Sequence, residues 1–118
     1  LGSSSSHTYG FPGATPSVSA SSASSNGIVW SIDGSRYCTL ESPGCGPAVL
    51  YAHDASNLAT ELWNSSKVAT DAAGNGVKFT VPTVANGSVF VGTRGNNTGG
   101  ADSSSSTPGE LDIYGLIP

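Results

Sequence analysis

The sequence predicts an all-β fold, and three observations carry that expectation. Apolar residues recur in short segments that alternate between two faces, as in Ile28-Val29-Trp30-Ser31-Ile32-Asp33, the two-residue period of a half-buried strand. Turn signals such as Asn26-Gly27, Asp33-Gly34 and Asn86-Gly87 separate those segments. No stretch supports an amphipathic helix of useful length, and the one weak candidate, residues 55–63, opens on β-turn residues.

The elements follow in order along the chain. Residues 1–14 read as a Ser/Gly-rich lead-in, flexible over 1–7 with His7 in solvent, then a turn at Phe11-Pro12-Gly13. Residues 15–20 form a short strand, and 21–27 a polar loop. Over 28–33, Ile28, Trp30 and Ile32 share one face, while Val29 and Ser31 take the other. A loop over 38–47 leads to a strand at 48–54, with Val49, Tyr51 and His53 opposite Leu50, Ala52 and Asp54. A turn at 54–57 precedes a short strand at 60–64. After a turn at 71–76, residues 77–84 read as a strand that Pro82 pushes toward an edge or a bulge. The Asn86-Gly87 hairpin leads into 88–93, where Val89 and Val91 oppose Phe90 and Gly92. Residues 94–109, with no apolar side chain larger than Ala, form an exposed, mobile insertion. Over 110–116, Leu111 and Ile113 face one way, Asp112 and Tyr114 the other.

Composition narrows the function classes. The 118 residues include only four Lys and Arg and carry a net charge of −4, too few cations for a phosphate track. No apolar run approaches the roughly 18 residues of a membrane-spanning helix. The opening residues do not read as a secretory leader, and a chain opening on Leu1 is expected to be a processed protein or a piece of one. Polarity rests on Ser, Gly, Thr and Asn rather than on charge, as on many secreted surfaces. Cys38 and Cys45 flank Pro43-Gly44, which turns the chain so that a small disulfide loop forms; two free thiols are the alternative. Paired Cys in such a chain favour an oxidising, extracellular or periplasmic compartment. No His or Cys sits at zinc spacing. Sequons at Asn64, Asn86 and Asn96 predict surface positions open to N-glycosylation, and the Ser/Thr clusters are candidates for O-glycans.

Catalytic chemistry finds no foothold, and no catalytic, cofactor-binding or metal-ligating residue is assigned. Most of the eight acids neighbour turns, where carboxylates bond to backbone N–H groups, and no general acid and base pair emerges. Asp71 and Asn75 suggest calcium, yet the EF-hand spacing is absent. There is no G-x-S-x-G elbow and no Gly-rich phosphate loop. Trp30 and Trp63 read as packing residues in preference to a stacking platform for a cofactor or sugar. His53 reads as a hydrogen-bonded structural residue.

An internal repeat organises the chain. Thr15-Pro16-Ser17-Val18-Ser19-Ala20, a loop ending in Asn26-Gly27 and the Trp30 strand share a plan with Val81-Pro82-Thr83-Val84-Ala85, Asn86-Gly87 and the Phe90 strand. The offset of about 60 residues is near one propeller blade with insertions. Ala52-His53-Asp54-Ala55 followed by Glu61-Leu62-Trp63 resembles the blade-end motif A-x-D-x-x-T-G-x-x-x-W of the quinoprotein-like β-propeller family, with Leu58 where the motif has Gly. Residues 77–92 with 110–116 resemble the final blade of such propellers. The resemblance implies about two four-stranded antiparallel blades, incomplete as a closed propeller. They comprise a lead-in over 1–14, a first unit over 15–76 with the Cys38–Cys45 loop, and a final unit over 77–118 with the 94–109 insertion. It also implies that Trp30 and Trp63 pack between blades.

Whole propellers need roughly four to eight blades, so a two-blade piece leaves strand edges unpaired. The expectation is a non-catalytic extracellular structural or interaction module that assembles through those edges. The edges belong either to a longer parent chain or to a homo-oligomer or fibre, with the segments 15–20 and 110–116 carrying the contact. One alternative is a C-terminal fragment of an oxidoreductase dependent on pyrroloquinoline quinone and calcium. Those enzymes often use a disulfide of adjacent Cys, whereas Cys38 and Cys45 lie apart. A second is a carbohydrate- or surface-binding module.

Overall fold

The computed structural model describes residues 2–22, 27–39, 45–95 and 109–115. Seven strands form: β1 (Ser17–Ser19), β2 (Ile28–Asp33), β3 (Val49–Asp54), β4 (Asn57–Asn64), β5 (Thr83–Ala85), β6 (Ser88–Thr93) and β7 (Glu110–Gly115). One 3₁₀ turn, Ala69–Asp71, joins them, and the described residues contain no α-helix. Among them, none is long and apolar enough to cross a membrane.

Every strand pairing is antiparallel. The first sheet has the order β1-β2-β3-β4 and the second β5-β6-β7. Turn chemistry sets the hairpins. Asn86 and Gly87 take φ of 50° and 75°, the left-handed pair of a two-residue hairpin whose twist suits the strands it joins. Between β3 and β4, the Asp54 carboxylate accepts hydrogen bonds from the Ser56 N–H and hydroxyl at 2.7 and 2.6 Å, an Asx-type turn.

The two sheets close on one core. Ile32, Ala48 and Leu50 come from the first, and Val89 and Val91 from the second, with Ala73 between them. Leu50 and Val91 are wholly buried, and each contributes about 1.5–3 kcal/mol by leaving water. Between the two sheets, β1 and β5 come within 8 Å from Cα to Cα, and there the Ser17 hydroxyl donates to the Pro82 carbonyl. The loop holding Ala73 ties the sheets together: Ala48 N–H donates to Gly74 O at 2.9 Å, and Gly74 N–H to the Asp112 carboxylate at 3.0 Å. A Cβ on Gly74 would run into Thr93 and Gly95, so only glycine lets the loop sit this close.

Several elements depart from expectation. Of residues 77–84, only the last part of the segment pairs, within β5. Pro82 has no N–H to give a ladder, and Phe79 sits at φ 62°, which breaks an extended run. The first strand is likewise confined to Ser17–Ser19 after Pro16. β4 begins at Asn57 and is longer than the short strand expected at 60–64, with irregular register against β3 around His53. Among the described residues the second sheet has three strands where four were expected. His7 and the lead-in dock onto the first sheet instead of standing in solvent, because the sheet offers them a carboxylate and a ring. Asn26, the Pro43-Gly44 turn, Asn96, most of the 94–109 insertion and Leu116 lie outside the described residues.

Candidate functional site

Strand alternation sends Trp30, Ala52 and Trp63 toward the second sheet, and Val89 and Tyr114 toward the first. These residues, with Leu62, wall a cleft of about 510 Å³ between the sheets, reaching Ile113 and Gly115 on β7. Trp30 Nε1 donates to Ser19 Oγ at 2.8 Å. Trp63 meets Tyr114 edge to face, with ring centroids 5.6 Å apart, an arrangement aromatic pairs favour. The Tyr114 hydroxyl donates to the Asp71 carbonyl at 3.1 Å, and burial pushes its phenol pKa up. Thr70, Asp71 and Ala72 also line the cleft. Both tryptophans of the chain therefore serve two purposes, packing against the core and walling a cavity.

The far side of the second sheet is different in kind. On β7, Asp112 and Tyr114 turn inward, while Leu111 and Ile113 are 60% and 59% exposed. Half-buried Phe90 lies directly across from Ile113 and so shares its face. Beyond β7, no strand among the described residues pairs with its outer edge.

No family model, curated protein or solved structure matches the chain.

On the first sheet, the face turned away from the core is covered by the N-terminal segment. Ser3 Oγ accepts from the Leu58 N–H at 2.6 Å. His7 Nε2 donates to Asp33 at 2.8 Å, and the His7 ring stacks on Tyr51 at 4.3 Å. Tyr9 and Ser31 share a hydrogen bond between their hydroxyls. Phe11 lies edge-on to Tyr37, over which Lys78 Nζ stands at 4.5 Å. Burial pushes the phenols of Tyr9 and Tyr51 up. Burial also raises the Asp33 carboxyl, but hydrogen bonds from Ser35 and His7 outweigh it and hold the group below the usual carboxylate range. Lys67, 2.9 Å from Glu61, holds that carboxyl low as well.

His53, beside Tyr51, is 2% exposed, and neither ring nitrogen has a hydrogen-bond partner among the described residues. The hydrogen-bonded role expected of it is thus corrected: its β3 neighbours and its register partners Val29 and Glu61 provide none. The surface position expected of Asn64 is corrected too. It is 9% exposed, and its side-chain amide donates to Glu61 at 2.7 Å and accepts from Ser66. Asn86 stands exposed at the hairpin tip.

Cys38 and Cys45 form the expected disulfide, within the connection from β2 to β3. Among the described residues, no set suited to pyrroloquinoline quinone is assembled. The cysteines lie seven positions apart, and no three His, Cys, Asp or Glu side chains converge among the described residues, as a calcium-held quinone would need. Sequence reasoning missed the docked His7 and Tyr9 and the cleft-lining Tyr114 and Asp71. The one available signal was a pair of rings, His7 and Tyr9, interrupting a run of Ser and Gly.

Proposed function

We propose that this chain is a non-catalytic structural and interaction module of an extracytoplasmic surface. In this reading its two sheets are blade-like units of the quinoprotein-like propeller kind, and it assembles by accepting a strand at the open edge of β7. The observation that carries the reading is the unequal strand count: among the described residues, β4 of the first sheet has no counterpart in the second. The registers support the equivalence of the units. Ser17 pairs with Trp30 and Val18 with Val29, as Thr83 pairs with Phe90 and Val84 with Val89. A fourth strand on β7 would lie opposite β4, with Leu62 and Trp63 beside it, and would satisfy the edge N–H and C=O groups. Near approach at β1 and β5, with a cleft beyond, suits neighbouring blades splaying from an axis. The disulfide and the hydroxyl-based polarity suit an oxidising compartment.

A peptide of residues 57–64, the fourth strand of the first unit, serves as the probe. It is expected to slow amide hydrogen exchange along β7 in a saturable manner; unchanged exchange at high peptide concentration refutes strand acceptance. The intact mass of the native protein, reduced and unreduced, then tells whether the natural strand lies in the same polypeptide. A second reading, a neutral sugar stacked in the cleft, is favoured by the convergence of Trp30, Trp63 and Tyr114 near Asp71. Intrinsic fluorescence reports it directly, since both tryptophans line the cavity: a saturable shift with an oligosaccharide supports it, and no shift removes it.

A further inference from the structure

We propose that the outward face of the second sheet, formed by Phe90, Leu111 and Ile113, docks against the same face of a second copy of this chain to give a closed two-fold dimer. The inference deepens the assembly reading above and rests on it for the equivalence of the two sheets.

The first argument is continuity with the inter-sheet interface. Ile28, Trp30 and Ile32 form the row of β2 that the second sheet covers. By register, Phe90 stands where Trp30 does, so the same face of the next sheet in the chain is the bare one. It presents Leu111 and Ile113 to water. Large apolar side chains grouped on one uncovered face mark an interaction surface, whereas single scattered ones do not.

The second argument decides the occupant. Head-to-tail stacking would place this face on the far face of another copy's first sheet, and the middle of that face, though not Val18 on β1, is already occupied. His7 holds Asp33 and stacks on Tyr51, and Tyr9 holds Ser31. Stacking there would have to displace those contacts. The bare face is left to meet its own symmetry mate, which closes the assembly at two.

The third argument is charge. The chain carries −4 overall, so a surface that presents acidic side chains repels its copy. This patch does not: Asp112 turns inward to Gly74 N–H and the Thr93 hydroxyl, and Phe90, Leu111 and Ile113 are uncharged.

Sedimentation velocity over a rising concentration series tests the proposal on the full chain. The expected result is a monomer–dimer equilibrium with no larger species. Ile113→Asp is expected to weaken dimerisation by about tenfold or more, since a carboxylate would have to be buried against its mate, with the far-UV circular dichroism unchanged. Leu111→Asp, also at an exposed position, should act in the same way and guards against a local effect of one variant. A doubly substituted His7→Ala, Tyr9→Ala chain should still dimerise and in addition form larger species, because the occupied face is opened. A chain that stays monomeric, that grows into open-ended polymers, or that dimerises undiminished as Ile113→Asp overturns the proposal. The strand-edge reading is tested separately. If the 57–64 peptide still slows β7 exchange in the Ile113→Asp monomer, edge and face are distinct contacts. If that peptide instead disperses the dimer while Ile113→Asp does not, the edge is the interface and the face proposal fails.

Discussion

The two sheets are built from similar segments, but they are finished differently. The first has four strands, a disulfide in its β2–β3 connection and cover over much of both faces: the second sheet on one side and the segment from Ser3 to Tyr9 on the other, with Val18 left exposed. The second has three strands, no cross-link among the described residues and a bare apolar face. The same alternation of side chains therefore has opposite consequences. Ile32 on β2 is core, whereas Ile113 on β7 is surface. What differs is whether another segment arrives to cover the row.

This contrast makes a graded set of predictions. The largest effect belongs to the shared core. Leu50→Ala should cost about 2–5 kcal/mol, the range for a buried large-to-small change, seen as a lower midpoint in urea denaturation; a loss below 1 kcal/mol would mean that the core is not closed between the sheets. Next is the cross-link that only the first sheet carries. Replacing Cys38 and Cys45 together by Ser should cost about 2–3 kcal/mol, the loop-closure entropy of a small ring. The same urea experiment measures it, and reduction of the native chain should give the same shift.

A third prediction reverses sign. His53→Leu should raise stability by about 1–3 kcal/mol, because it removes buried ring nitrogens that have no partner among the described residues. Destabilisation would show that His53 makes a bond through an ordered water. A fourth concerns pH. The folded-state pKa of Asp33 is depressed, so its contribution is present above the unfolded carboxyl value of about 3.9 and is lost as pH falls through the lower folded value. Melting temperature should thus fall in acid, and Asp33→Asn should flatten that fall; parallel profiles for the two chains would discount the His7–Asp33 contact. The smallest effect belongs to the bare face. Leu111→Ala, measured where the chain is monomeric, should change stability by no more than about 0.5 kcal/mol, and a larger loss would mean that the face is covered from within.

Much of the fold was legible because it is local. The alternation at 28–33, 48–54, 88–93 and 110–116 reports strands directly, and Asn86-Gly87 specifies its hairpin through backbone conformations those residues tolerate. The failure at 77–84 is instructive. Val77, Phe79 and Val81 alternate like a strand, yet Lys78 is drawn over the Tyr37 ring and Phe79 takes a left-handed conformation. A contact with a residue about forty positions away overrides the local pattern. The candidate surfaces were half legible. Leu111 and Ile113 could be assigned to one face together, but alternation is silent on which face meets the core. His7 was misread for the same reason, since its partners Asp33 and Tyr51 lie far along the chain.

By itself, then, the sequence determined the all-β class, the places of most strands, the Asn-Gly hairpin and the proximity of Cys38 to Cys45, all of which follow from short-range sterics and spacing. Tertiary structure alone decided which rows are buried, that the lead-in docks on the first sheet, that Trp30 and Trp63 share a cleft with Tyr114, and that, among the described residues, the second sheet has three strands and a bare face. Those outcomes depend on pairings between distant segments, whose cost in chain entropy is recovered only when the whole arrangement forms.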